Sequence, residues 1–181
     1  MKRVLFLLGT AAAFAWGQEK QSSEPVIKNV ELTVYLLSGV QAPATDDVPQ
    51  DLAAIAKQLH SLFTYKGYKL AESFILRGRS SSNGAGTEGI LPGSGLHYYF
   101  RYQRVRVTAE KPYMVHIDNL SMSLNGPPAY GPDGKQRGNN QIASISTDLD
   151  LTDGQKVVVG KSSINAAGDA LILVIVPKVI E

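Results

Sequence analysis

The sequence predicts an α+β protein, mainly β, in which an antiparallel sheet or sandwich of about seven strands packs against one amphipathic helix. Apolar and polar residues alternate along several segments that are separated by turn residues, and only one segment has its apolar residues at helical spacing. The chain of 181 residues has the length of one domain, and its hydrophobic share of 44% is too high for a disordered protein. We therefore expect a single β-rich domain over residues 26–181.

The N-terminal part of this domain predicts one strand and the helix. Over Val26 to Leu37, apolar residues occupy every second position from Val30 onward, which is typical of a half-buried strand. Over Pro49 to Phe63, one face is apolar and must pack on the sheet, and Asp47 is a candidate helix cap. The residues of that face are Leu52, Ile55, Leu59 and Leu62.

The remaining segments predict strands. Within the segment Leu96 to Thr108, the apolar residues move from one alternating set of positions to the other. This change predicts a bulge near Gln103 or a strand buried on both faces. Asp153-Gly154 predicts a tight hairpin turn, and Pro177 predicts that the last strand ends near a sheet edge. The predicted strands are Tyr68 to Arg79, Leu96 to Thr108, Tyr113 to Leu124, Ile142 to Leu151, Lys156 to Val159, and Ala170 to Ile180.

Two segments of 16 residues, Ser80 to Gly95 and Asn125 to Asn140, are rich in Gly or Pro and predict mobile loops. The first contains Gly84-Ala85-Gly86-Thr87-Glu88-Gly89, which matches the G-x-G-x-x-G pattern of dinucleotide-binding turns. That chemistry requires a helix directly after the glycines, and the sequence that follows, with Pro92 and more glycines, does not open one. A glycine-rich hairpin loop is the better interpretation.

The chain begins with Met1-Lys2-Arg3 and an apolar run from Val4 to Ala15, which is typical of a secretory signal peptide. We expect residues 1–17 to be the leader, cleaved after Gly17 or Ala15, and residues 18–25 to be flexible. An uncleaved anchor is the alternative, although the run is short for a membrane span. The prediction places the mature protein in the bacterial periplasm or the medium.

Loss of the leader changes the charge balance. Lys+Arg falls from 18 to 16, which equals the 16 Asp+Glu, so the mature chain has a formal charge of zero. This balance and the export signal argue against a nucleic-acid partner. The chain has no cysteine, which excludes disulfides, thiolate metal sites, cysteine nucleophiles and a lipid-bearing N-terminal cysteine.

No metal or cofactor site is predicted. Asp148, Asp150 and Asp153 have some likeness to a calcium loop, but the bidentate glutamate is absent and the segment has the alternation of a strand. The three histidines do not form the close pair that zinc sites usually contain. They are His60, His97 and His116.

No catalytic residue is predicted either, and we expect a protein that is not an enzyme. Gly93-Ser94-Gly95 lacks the strand-to-helix turn of a serine nucleophile elbow. A small secreted hydrolase remains an alternative, and it requires His97 or His116 beside an acid and a hydroxyl.

Aromatic residues and arginines are interleaved from His97 to Arg106. Such a segment can present rings and cations for a carbohydrate or an envelope polymer, and this binding module is a second hypothesis for the function. Alternatively, the aromatic residues face the core and the arginines face water. The candidate ligand-binding residues are Tyr98, Tyr99, Arg101 and Tyr102.

The segment Ser146 to Lys161, followed by Leu171 to Val179, resembles the C-terminal part of the bacterial secretin domain, so that the resemblance covers residues 141–180. Secretins are outer-membrane channel proteins of type II and type III secretion and of type IV pili. The matching features are the turn Asp153-Gly154-Gln155, the strand Val157 to Gly160, and Pro177-Lys178.

The segment departs from the secretin pattern in two places. Lys161-Ser162 stands where secretins have a second glycine and a leucine, and Val176 stands where threonine precedes proline. The resemblance implies a small exported relative or a fragment of the secretin β-module, not a complete channel, with a role in binding or assembly in the cell envelope. We expect a protein partner or self-association by strand addition at the edge of the closing strand, and membrane contact only through the leader.

Overall fold

The computed structural model describes residues 27–80, 83–127, 131–135 and 140–180, so the predicted leader (1–17) and the stretch 18–25 lie outside the described residues. The described residues form a two-sheet sandwich with one helix, as predicted. The elements are β1 (Asn29–Val40), a 3₁₀ turn (Gln50–Leu52), α1 (Ala53–Leu62), β2 (Gly67–Arg79), β3 (Gly86–Ile90), β4 (His97–Arg101), β5 (Arg104–Val107), β6 (Met114–Asn125), β7 (Gln141–Thr152), β8 (Val157–Ser163) and β9 (Ala170–Ile180).

Sheet A has the strand order β2-β1-β9-β8, and sheet B has the order β3-β4-β6, with β7 on the other side of β6. β5 pairs with β6 beyond β4, so β4 and β5 share one edge of that strand. All strand ladders are antiparallel. The described residues contain nine strands where the sequence predicted about seven, because β3 lies inside a predicted loop and the segment Leu96 to Thr108 is divided in two.

The division falls near Gln103, where the sequence predicted a bulge or a strand buried on both faces. Tyr102 donates its N–H to the carbonyl of Ala85 (3.0 Å), whereas Gln103 donates to the carbonyl of Asp118 (2.9 Å). Phe100, Tyr102 and Val105 are all buried, so the inward positions change parity between β4 and β5, although both strands keep one register with β6.

The glycines of the G-x-G-x-x-G pattern allow this segment to lie close to the neighbouring strand. A Cβ on Gly84 would lie 1.8 Å from the carbonyl oxygen of Tyr102, and one on Gly89 would lie 2.7 Å from the ring of Tyr98. The absence of side chains therefore lets β3 lie close against β4. The prediction of a loop over this segment is wrong for residues 86–90, which form β3. Residues 81–82 of that segment, and 128–130 and 136–139 of the second predicted loop, lie outside the described residues.

Strand β9 is the centre of sheet A, because it pairs with β1 on one side and with β8 on the other. Its alternate residues enter two different cores. Leu171, Leu173 and Ile175 face sheet B, whereas Ile172 and Val174 face the helix. A strand buried on both faces explains the continuous apolar run of this segment.

The prediction that the last strand, β9, presents a free sheet edge is therefore wrong. Pro177 is paired with Leu32 of β1, and its carbonyl accepts the N–H of Gly154 (2.7 Å) on the other side. Asp153 forms a second hydrogen bond to β9, because its Oδ1 accepts the N–H of Val179 (2.8 Å). The turn before β8 thus covers the end of β9.

Asp153-Gly154 forms the predicted tight turn, with Gly154 at φ +74° and a hydrogen bond from the N–H of Gln155 to the carbonyl of Thr152 (3.0 Å). The two flanking strands do not form a hairpin ladder, however. β7 pairs with β6 in sheet B, and β8 pairs with β9 in sheet A. The turn therefore connects the two sheets at one side of the sandwich.

Helix α1 covers the outer face of sheet A, and Leu52, Ile55 and Leu59 are buried against it as predicted. Leu62 is 61% exposed, contrary to the prediction, because it is the last helical residue and the chain leaves in an extended conformation at Phe63. Asp47 does not cap the helix, since neither the 3₁₀ turn nor α1 has a side-chain cap, and the backbone of Asp47 pairs with Tyr68 and Leu70 of β2. Within the described ranges, no helix has the length and hydropathy needed to span a membrane.

Candidate functional site

The outer face of sheet B is polar, and four of its strands line a shallow hollow of about 720 Å³ that we call the sheet-B groove. Strand register places its side chains in rows across the sheet. One row is Glu88, Tyr99, Ser123 and Ser144, and the next is Gly86, Arg101, Ser121 and Ser146. The groove is continuous with a second hollow of about 790 Å³ beyond Arg101, so its shape is elongated.

The four predicted ligand-binding residues divide between the two faces of this sheet. Tyr98 and Tyr102 are each 7% exposed and belong to the core between the sheets. Tyr98 stacks on Phe74 with 5.5 Å between ring centroids, and burial raises the pKa of both tyrosines. Tyr99 and Arg101 lie on the outer face in the groove, where Tyr99 is 40% exposed. The structure thus brings together two of the four.

Asn125 is a groove residue that the sequence reasoning missed. It is 8% exposed, and its Oδ1 has no hydrogen-bond partner among the described residues. The signal was present in β6, where Ser121, Ser123 and Asn125 alternate with Met122 and Leu124. That alternation puts Asn125 on the polar face although it is the last residue of its strand.

Several polar groups elsewhere on the same face pair with one another. Arg106 contacts Asp118 (2.8 Å between Nη2 and Oδ1), and His116 contacts Asp150 (2.5 Å between Nδ1 and Oδ1). Asp148 accepts the backbone N–H of Asn119 (2.7 Å). This half of the face, along β5 and the facing parts of β6 and β7, is occupied by its own ion pairs.

Within the groove, by contrast, the described residues leave several polar groups free. The hydroxyls of Ser121, Ser123 and Ser144 form no hydrogen bond within the described ranges, and Arg101 forms no ion pair there. Hydroxyls, amides and a guanidinium that are not engaged with one another can hydrogen-bond to a ligand.

The acidic and histidine residues do not converge. Asp148, Asp150 and Asp153 bind different partners, in agreement with the interpretation of a strand and a turn. No group of three or more potential metal ligands occurs in the described part of the chain. His60 pairs with Asp46 (2.9 Å) at the helix, and no described hydroxyl hydrogen-bonds to the His116–Asp150 pair.

The two sides of the sandwich differ in how their sheet edges are covered. At the β7–β8 side, the N–H of Ser144 donates to Oγ of Ser162 (3.3 Å), and the Ile145 side chain lies 3.3 Å from the Cβ position of Gly160. At the other side, Asp47 bridges Lys69 near the start of β2, but residues 71–79 of that strand pair with β1 alone among the described residues, and Ile75 is 57% exposed. Sheet A therefore has a long free edge at β2.

No protein-family model matches the sequence, and no curated protein matches it. Two solved secretin structures are similar to the chain. One is the Salmonella SPI-1 type III secretion injectisome secretin InvG (residues 176 to the end, open gate state), at 13% identity and a TM-score of 0.41 over 86% of this chain. The other is the type II secretion secretin XcpQ from Pseudomonas aeruginosa, at 12% identity and a TM-score of 0.26 over 85% of this chain.

The chain spans 61% of the InvG chain and 57% of the XcpQ chain. It has a weak structural resemblance to secretins, in agreement with the resemblance predicted from residues 141–180. A similarity at this level says nothing about activity or partners.

Proposed function

We propose that this chain is an exported, non-enzymatic protein of the bacterial cell envelope, related to secretins, that assembles by strand addition to the free edge of β2. The observation that carries the proposal is the free length of that edge, since residues 71–79 of β2 pair with β1 alone within the described part of the chain, whereas Asp47 covers the edge at Lys69. Unpaired N–H and C=O groups along such an edge are a template for an incoming strand.

The other sheet edges are less suitable for an incoming strand. β7 and β8 lie against each other at the far side of the sandwich, joined by the Ser144–Ser162 hydrogen bond. β3 has only five residues, and two of them are glycines. β2 offers a longer ladder, and the exposed side chain of Ile75 supplies apolar area beside it.

Two features of the sequence support the envelope assignment. The basic start and apolar run of residues 1–17 are typical of an export signal. The secretin-like segment 141–180 coincides with the continuous path of β7, the Asp153-Gly154 turn, β8 and β9. The incoming strand comes from an envelope partner or from a second copy of the chain.

Two matched substitutions test the edge. Ile75 in β2 and Ile90 in β3 are both 57% exposed on edge strands, so a lysine costs little stability at either position. Ile75→Lys adds charge at the proposed ladder and should abolish assembly, whereas Ile90→Lys should leave it unchanged. Sedimentation velocity of the purified protein measures self-association. Equal behaviour of the two variants would contradict the proposal.

Cross-linking covers the case of a different partner. Because the chain has no cysteine, Ser73→Cys introduces a unique thiol in the middle of β2, and Ser123→Cys introduces one on the outer face of sheet B as its control. A thiol-reactive cross-linker applied to intact cells should trap Ser73→Cys in one discrete adduct, a dimer or a complex with an envelope protein. The edge is not an interface if Ser73→Cys and Ser123→Cys give the same pattern.

Export has its own test, independent of the edge. Mass spectrometry of the protein recovered from the periplasm or medium should find an N-terminus at Gln18 or Trp16. Recovery of the intact chain from the cytosol alone would refute the proposed location.

A further inference from the structure

We infer that the sheet-B groove binds an uncharged oligosaccharide. This goes beyond the proposed assembly function and does not depend on it, because the groove lies on sheet B and the free β2 edge belongs to sheet A. The residues assigned to binding are Tyr99 and Arg101 from β4, Ser121, Ser123 and Asn125 from β6, and Ser144 from β7.

The first argument is the contrast in pairing along one sheet face. Outside the groove, Arg106 and His116 each contact an aspartate within the protein. Inside the groove, Ser146 donates to the carbonyl of Leu120 (3.3 Å), whereas the hydroxyls of Ser121, Ser123 and Ser144 and the guanidinium of Arg101 form no hydrogen bond or ion pair with described residues. The hydrogen-bond donors and acceptors of this face that lack a partner among the described residues therefore cluster in the groove.

The second argument is the buried acceptor at one end of the groove. Oδ1 of Asn125 has no partner among the described residues, although the residue is only 8% exposed. A buried oxygen without a hydrogen bond costs about 1–3 kcal/mol, and such groups in folded proteins normally have a partner. A ligand hydroxyl that enters the groove would donate this missing hydrogen bond.

The third argument concerns the ring and the shape of the groove. Tyr99 is 40% exposed and stands between Glu88 and Ser123 in its row, so its ring is available to the apolar face of a sugar. The groove continues past Arg101 into the second hollow toward Gly84 and Asn119. An elongated site of this kind fits several linked sugar units better than one.

The composition of the lining selects a sugar over other ligands. A polyanion requires several cations, and the groove has one, Arg101, with Glu88 on the neighbouring strand. A peptide is usually held by buried apolar anchors, and Tyr99 is the one large apolar side chain that the described lining directs outward. Serine hydroxyls and amides both donate and accept hydrogen bonds, as sugar hydroxyls do.

The test is a titration of the purified protein, followed by NMR, with defined tetrasaccharides. Chitotetraose, cellotetraose and maltotetraose serve as probes, and a heparin tetrasaccharide and a short polyphosphate serve as anionic comparisons. At least one neutral tetrasaccharide should shift the amide signals of Ser121, Ser123 and Ser144 more than those of β2. Thermal unfolding of each variant checks that it is folded.

Matched variants assign the binding to the groove. Tyr99→Ala should weaken the affinity about tenfold, equivalent to about 1.4 kcal/mol. Ser123→Ala should weaken it by about threefold to tenfold, whereas Ser73→Ala, an exposed serine on β2, should not change it. Ile75→Lys should bind the sugar normally, which separates this inference from the assembly proposal.

Three outcomes would overturn the inference. One is the absence of binding by all three neutral probes at millimolar concentration. Another is binding of heparin or polyphosphate alone, weakened by salt, which would indicate an anion site. The last is sugar binding that is unchanged by Tyr99→Ala and Ser123→Ala, which would place the ligand elsewhere on the protein.

Discussion

The two outer faces of the sandwich differ in composition and in what covers them. On sheet A, the outward residues of β9 and the neighbouring part of β1 are apolar, including Leu37, Ile172 and Val174, and α1 packs on them. On sheet B, the outward residues of β4, β6 and β7 are polar and stay open. Both sheets direct apolar residues into the core between them. The residues that point outward therefore determine whether a further layer, such as a helix, packs on the sheet.

The neighbouring residues Tyr98 and Tyr99 give the sharpest test of this difference, because they point to opposite faces of β4. Tyr98→Ala removes a buried ring that stacks on Phe74 and should lower the free energy of unfolding by about 3–5 kcal/mol. Tyr99→Ala should change it by less than about 0.5 kcal/mol. Urea denaturation of both variants measures the difference, and similar losses would mean that the outer face of sheet B is a packed surface.

Removal of a helix contact tests the covered face. Leu59 is fully buried between α1 and sheet A, and Leu59→Ala should cost about 3 kcal/mol of unfolding free energy. Leu62, three residues later and 61% exposed, is the control, since Leu62→Ala should cost less than about 0.5 kcal/mol. If both variants unfold at the same urea concentration, the helix layer contributes little to the fold.

The smallest expected effect on stability concerns a pair of hydrogen bonds to the Asp169 carboxylate, at the end of sheet A. The side-chain amide of Asn165 (2.9 Å) and the backbone N–H of Gln41 (2.8 Å) donate to the Asp169 carboxylate and hold its pKa below the ordinary value of 3.8. A lowered folded pKa means that the stabilisation is complete above the unfolded pKa and is lost as the pH falls through the folded one.

Asp169→Asn should therefore unfold at a slightly lower temperature than the natural protein at neutral pH. The difference should shrink as the pH falls from about 5 to about 2. Thermal unfolding followed by circular dichroism at several pH values measures it. A difference that stays constant over this range would exclude the carboxylate charge as its source.

Much of the fold could be predicted because its signals are local. The period of two along β1, β6 and β7, the single helical pattern with Leu52, Ile55 and Leu59, and the change of parity at Gln103 all appear in the structure. The candidate site was predicted in part. Tyr99 and Arg101 line the groove, whereas Tyr98 and Tyr102 have the opposite parity in their strand and belong to the core.

The errors concern which strands pair. Asp153-Gly154 predicts a hairpin because its residues favour a tight reversal, but that preference does not specify the sheet that each strand joins. Pro177 suggested an edge because proline lacks an N–H group, yet the turn before β8 covers that position. Both outcomes depend on contacts between residues far apart in the chain.

The sequence by itself determined the β-rich class, the one helix, the positions of most strands and the turn, since alternation, helical spacing and turn residues act within a few positions. Only the tertiary structure decided that β9 lies at the centre of sheet A, that β7 and β8 belong to different sheets, and that β2 keeps a free edge. It also decided that Asn125 lies buried in a polar groove. The physical reason is that the alternation along a strand shows which of its faces are apolar. Which strands it pairs with depends on how the whole chain buries those faces.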